Sequence, residues 1–130
     1  MIETKDTVSM LCEEVREAAG SLHRYLRHGH LKEVYENGLA HRLRERGLSV
    51  QQHCPLNVVD EDQTILGEYF ADLLINNQLI VELKACGDLT DAHVAQLLGY
   101  LRCSRIKHGL LLNFGTPTLG IKKYVLSNPV

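Results

Sequence analysis

The chain has 130 residues, 45% of them hydrophobic, which is enough for one compact core and too few for two ordinary domains. Its net charge of -2 argues by itself against an avid nucleic-acid binder, and no apolar run approaches the roughly 20 residues of a membrane helix. A single domain over residues 1–130 is expected.

Around Lys5, the opening segment carries Glu3 and Asp6, with no apolar stretch of signal-peptide length behind them. A cytoplasmic location is the expectation. Cys12, Cys54, Cys86 and Cys103 form no C-x-x-C pair, and the seven histidines show no H-E-x-x-H spacing. Reduced thiols and surface or supporting histidines follow, in place of a zinc or iron–sulfur centre.

In chain order, Val8, Leu11, Val15, Ala18, Ala19, Leu22 and Leu26 recur at three- and four-residue steps. That period predicts a helix over about 7–27, and residues 1–28 read as an N-terminal helical extension. Gly29 interrupts the pattern, and Leu31, Val34, Tyr35, Leu39 and Leu43 restart it as far as Arg46, before Gly47.

From Leu48 the texture is strand-like: 49–59, 64–75 and 79–85, divided by Asp60-Glu61-Asp62 and Asn76-Asn77. These three runs predict an antiparallel meander. Thr90 caps a helix over 91–103, His108 to Phe114 forms a fourth strand, and Ile121 to Leu126 an edge strand. A helix between the third and fourth strands permits a parallel crossover, giving an α/β mixed sheet with helices on its faces.

Gly67-Glu68-Tyr69-Phe70-Ala71-Asp72 and Val81-Glu82-Leu83-Lys84 carry the chemistry. Side chains alternate along strands, so the length of the turn decides whether the two acids meet. A two-residue turn places Asp72 opposite Val81. A three-residue loop, Asn76-Asn77-Gln78, sets Asp72 opposite Glu82 and gathers Ala71, Leu73, Ile75, Leu79, Val81 and Leu83 on one apolar face. Hydrophobic pattern and chemistry agree on the second register.

Two carboxylates with the carbonyl of Leu83 make a hard oxygen site suited to magnesium or manganese. Such an ion polarises a phosphate oxygen and acidifies water, while Lys84 orients that water or offsets charge on the phosphate. The same residues also suit a surface strand pair in which Asp72 or Glu82 bridges Lys84. Gln96 and Tyr100, with His93, form a polar stripe on the following helix, placed to hold water, the lysine or a phosphate. For His93, a partly exposed polar face is the plainer reading.

Residues 60–100 hold eight acids and one lysine, whereas 101–130 hold Arg102, Arg105, Lys107, Lys122 and Lys123 and no acid. An acidic site beside a basic rim suits a metal meeting a phosphate backbone, and an ordinary solvated surface equally.

These blocks resemble the PD-(D/E)XK nucleases, and within them the small GxxExxY proteins. The signature is Asp72, Glu82 and Lys84, with Gln96-Leu97-Leu98-Gly99-Tyr100 similar to a Q-x-x-x-Y element. Tyr35-Glu36-Asn37, Gly67 to Leu74, Ile80 to Ala85, His93 to Leu101 and Gly109 to Gly115 extend the likeness over about 29–123.

The resemblance implies a restriction-endonuclease-like fold, metal ligation by Asp72 and Glu82, and Lys84 as the catalytic lysine. It implies a nuclease for DNA or RNA, with a homodimer as the arrangement that cuts two strands. One position departs: Gly29 and Tyr35 match the naming motif, but Lys32 stands where its glutamate belongs. Lys32 would weaken a second ion, and Glu36, four residues on, is the substitute on that helical face, ahead of Glu33. The alternative is a weakly active or inactive nucleic-acid-binding or adaptor module of the same fold.

Overall fold

In the computed structural model, residues 5–127 are described; residues 1–4, including Glu3 of the opening charge pattern, and 128–130 lie outside the described residues. Helix α1 spans Lys5–Leu26 and α2 Lys32–Glu45. Strands β1 (Val50–Val59), β2 (Ile65–Ile75) and β3 (Leu79–Lys84) precede α3 (Asp91–Ser104), and β4 (His108–Asn113) and β5 (Gly120–Val125) follow it. The sheet order is β1-β2-β3-β4-β5, antiparallel except for the parallel β3/β4 pair that α3 connects. The expected mixed sheet flanked by helices is the observed one.

Local chemistry explains the boundaries. Gly47 takes φ +86° just past α2, a left-handed conformation that costs a residue without Cβ little. Thr90 and His93 form a reciprocal capping box at α3, the threonine hydroxyl accepting the His93 N–H and His93 Nδ1 accepting the Thr90 N–H. That role absorbs His93, in line with its plainer reading.

Two clusters sandwich the sheet. On one face Leu11, Val15, Leu22, Leu39 and Leu43 of α1 and α2 pack on Leu73, Ile75, Val81, Leu83 and Leu112. On the other, Leu97 and Leu101 of α3 pack on Cys54, Leu56, Leu74, Ile80 and Leu111. Burial of this apolar surface, at roughly 25 cal/mol per Å², holds the layers together.

Alternation breaks midway along the β1/β2 hairpin. Val50 lies on the α1/α2 side, while Cys54 and Leu56, of the same parity, lie on the α3 side. In β2, Leu73 is on the α1/α2 side but Ala71 is on the α3 side. Ala71 thus departs from the apolar face expected for it. The reason is the missing pair between Gln52↔Leu73 and Cys54↔Ala71: His53 adopts φ +51°, and His53 and Asp72 leave the ladder together. A one-residue interruption inverts every side chain beyond it.

Tyr35 secures the turn between the helices. Its hydroxyl donates to the Arg27 carbonyl at 2.6 Å and accepts the His30 N–H, while its ring stacks on Phe114 at 4.7 Å. The first turn of α2, with Lys32, is thereby set against the sheet.

Candidate active site

The turn after β2 has the three-residue form. Ile75 pairs with Leu79, Asn76 and Asn77 both take positive φ, and the Gln78 N–H donates to the Ile75 carbonyl. The register continues through Leu74↔Ile80 to Leu73↔Val81, which brings Asp72 level with Glu82.

Beyond Leu73 and Val81, side chains replace the backbone ladder. The Asp72 N–H donates to Glu82 Oε2 at 2.6 Å, and the Leu83 N–H donates to Asp72 Oδ2 at 2.9 Å. Both carboxylates are buried, at 5% and 3% exposure. Because the Lys84 carbonyl accepts the Phe114 N–H of the β4 side, alternation turns the Leu83 carbonyl toward β2, the side its own N–H serves.

Burial first, and then the charge of Asp72, push the Glu82 carboxyl up to about 8. Its hydrogen bond from the Asp72 N–H and the charge of Lys32 act in the opposite direction. Two converging acids in a dry setting favour keeping a proton or acquiring a cation.

Lys32 supplies one positive charge. Its Nζ lies 2.6 Å from Asp72 Oδ1. Partial burial lowers its pKa, but the hydrogen bond and charge of Asp72, with Glu82 and Glu36 behind it, more than offset that and hold it above its ordinary value.

Lys84 makes no ion pair with either acid among the described residues. Its Nζ donates to Gln96 Oε1 at 2.7 Å, so α3 holds the lysine of β3. Of the roles open to Gln96, the observed contact is with the lysine. Tyr100 is 7% exposed and its ring lies against Tyr69 at 5.7 Å. Burial, then Glu82 and Asp72, push its hydroxyl up to about 12, so it stays a neutral donor at physiological pH.

Glu36 is buried at 2% exposure but is bound elsewhere: His53 Nε2 lies 2.8 Å from its Oε2, and Gln52 Nε2 donates to the same oxygen at 3.1 Å. Sequence reasoning passed over His53 and Gln52. Val50, Cys54, Leu56 and Val58 share one parity, and the polar Gln52 that interrupts them, followed by His53, is the one local sign of the inversion.

Among the described residues, no group of three or more His, Cys, Asp and Glu side chains stands ready to hold an ion. Asp72, Glu82 and the Leu83 carbonyl are all oxygen donors, the chemistry a hard cation takes, while Lys32 occupies Asp72 Oδ1.

The sequence model of the PD-(D/E)XK nuclease superfamily matches residues 9–124. The chain belongs to this superfamily. In this structure Asp72, Glu82 and Lys84 lie at the fork where β2 and β3 part, with α2 on one side and α3 on the other. The crystal structure of SSO0001 shares the fold at a TM-score of 0.59 and 16% identity, over 72% of this chain and 48% of that one. The chain therefore spans about half the length of that protein. No curated protein matches the chain. No helix among the described residues is long and apolar enough to cross a membrane.

Proposed function

We propose that this protein is a metal-dependent nuclease that hydrolyses phosphodiester bonds of DNA or RNA, as a member of the GxxExxY group. The observation that carries the reading is the interlock of Asp72 and Glu82 across β2 and β3, with Lys84 tethered to Gln96 beside it.

Asp72, Glu82 and the Leu83 carbonyl would hold magnesium or manganese, which supplies Lewis-acid polarisation of the phosphate and a more acidic water. Backbone N–H groups orient both carboxylates, so their geometry is preorganised. Lys84, kept from collapsing onto the acids by Gln96, presents its ammonium to the charge that builds on phosphate oxygens in the transition state. Neutral Tyr100 would offer its hydroxyl as a donor from the α3 side. A cytoplasmic homodimer is the form in which such a small nuclease would cut both strands of a duplex.

A second reading, a binding or adaptor module with little catalysis, is favoured by one contact. Lys32 already places a positive charge on Asp72.

Cleavage of labelled single- and double-stranded DNA and RNA with magnesium or manganese separates the two readings. Asp72→Asn and Lys84→Ala, purified alongside the wild type, should lose cleavage while keeping the fold. Equal cleavage by all three would reveal a contaminant, and no cleavage by any of them would select the module.

A further inference from the structure

Helix α3 and the outer half of the β1/β2 hairpin enclose a trough that begins at the candidate site and leaves it. Its near part, about 380 Å³, is lined by Gln96, Tyr100, Gly99 and Tyr69. Its far part, about 420 Å³, is lined again by Tyr69 and Gly99, and then by Val58, Arg102 and Arg105. The two parts meet at Tyr69 and Gly99. A Cβ on Gly99 would meet nothing within 4 Å, so the helix leaves the floor open there.

The inversion at His53 and Asp72 creates this trough. Tyr69 pairs with Leu56, which packs on α3, so Tyr69 also faces α3 while remaining 51% exposed. Without the inversion its ring would stand on the opposite face of the sheet.

Charge is arranged along the same line. From Ala92 to the chain end there is no acidic residue. Arg102 and Arg105 are exposed and make no ion pair among the described residues. Arg105 caps α3 at φ +61°, where glycine or asparagine is usual, so a long cation occupies a position that ordinarily carries little side chain. Gln96, which holds Lys84, lies about 9 Å from Arg102 along the helix axis.

We infer that the Tyr69–Arg102–Arg105 trough is a track for single-stranded nucleic acid, guiding an unpaired strand into the site at Lys84 and Gln96. An exposed tyrosine face accepts an unpaired base by stacking, and guanidinium groups accept the phosphates that follow. A duplex hides its base faces and cannot use Tyr69 in this way. The inference deepens the nuclease reading and rests on it for the position of the reacting phosphate.

Fluorescence anisotropy in EDTA, with labelled single-stranded DNA, single-stranded RNA and a duplex, tests the track without cleavage. The wild type should bind one or both single strands more tightly than the duplex, and the arms distinguish DNA from RNA. Arg102→Ala/Arg105→Ala should weaken single-strand binding at least about tenfold and flatten its logarithmic salt slope by about 1.4, from about 0.7 per phosphate contact. Tyr69→Leu should weaken it about fivefold or more, and Tyr69→Phe should restore it.

Preferential duplex binding, or single-strand binding indifferent to these exposed residues, overturns the track. If Asp72→Asn abolishes cleavage in that case, the nuclease reading survives alone. If trough variants weaken strand binding but nothing is cleaved, the track stands and the nuclease reading falls.

Discussion

Lys32 Nζ lies 2.6 Å from Asp72 Oδ1, so the first turn of α2 delivers an ammonium to the strand aspartate forty positions later in the chain. The contact joins the one departure from the naming motif to the first residue of the nuclease signature. A cation at this oxygen competes with Lys32 for the same lone pairs.

Lys32→Met should therefore destabilise the ion-free protein yet sharpen its response to metal. Breaking a buried pair costs about 3–5 kcal/mol, but the Lys32 side chain is 37% exposed, and solvent screening reduces the expectation to about 1–2 kcal/mol. Thermal melting with and without manganese should show a larger metal-induced rise for the variant than for the wild type. Equal rises would show that Lys32 does not compete.

Glu82 makes stability depend on pH. Its folded pKa, about 8, lies above the ordinary value of 4.5, so the folded chain binds more protons than the unfolded one between those values. Its contribution is fully present below about pH 4.5 and is lost as pH rises through about 8. Urea midpoints should fall over this window in the wild type, and Glu82→Gln should remove most of the fall. Saturating manganese should oppose the fall, because an ion displaces the proton. A midpoint that rises with pH and ignores the substitution would contradict the assigned environment.

Gln96 is predicted to position Lys84 rather than to touch the reacting atoms. Gln96→Leu leaves the ammonium unheld, and loss of a hydrogen bond to a charged group, about 1.5 kcal/mol, corresponds to about a tenfold fall in single-turnover cleavage. Strand affinity in EDTA should fall far less than for Arg102→Ala/Arg105→Ala, and Gln96→Glu should recover much of the rate. A change confined to affinity would place Gln96 in strand binding instead.

The backbone beyond Lys84 tolerates no bulk. Asn113 Oδ1 accepts the N–H groups of Cys86 and Gly115, and its Nδ2 donates to the Cys86 carbonyl, closing the end of β3 against β4. A Cβ on Gly115 would collide with the backbone N and O of Cys86, which cannot swing aside. Gly115→Ala should cost about 3 kcal/mol or more in urea denaturation. Gly99→Ala, in open space on a helix, should be stabilising by about 0.5–1 kcal/mol. Similar values for the two would refute the packing argument.

Much of the fold was legible because it is local. The three- and four-residue apolar steps of α1 and α2 and the Thr90 cap identify helices from neighbouring residues alone, and the observed ends agree within a few positions. The Asn76-Asn77-Gln78 loop was legible for a different reason: only one turn length buried Leu73, Ile75, Leu79, Val81 and Leu83 together, and it necessarily faced Asp72 toward Glu82. Ala71 escaped the same reasoning because strict alternation assumes an unbroken ladder.

By itself, then, the sequence determined the elements, the β2/β3 register and the meeting of two carboxylates, since each follows from short-range periodicity and burial. Tertiary structure alone decided that Lys32 reaches Asp72, that Glu36 serves His53, and that Tyr69 turns toward α3. Those outcomes depend on how Tyr35 docks α2 on the sheet and how His53 and Asp72 leave the ladder. Contacts between distant segments are set by packing, and no local period encodes them.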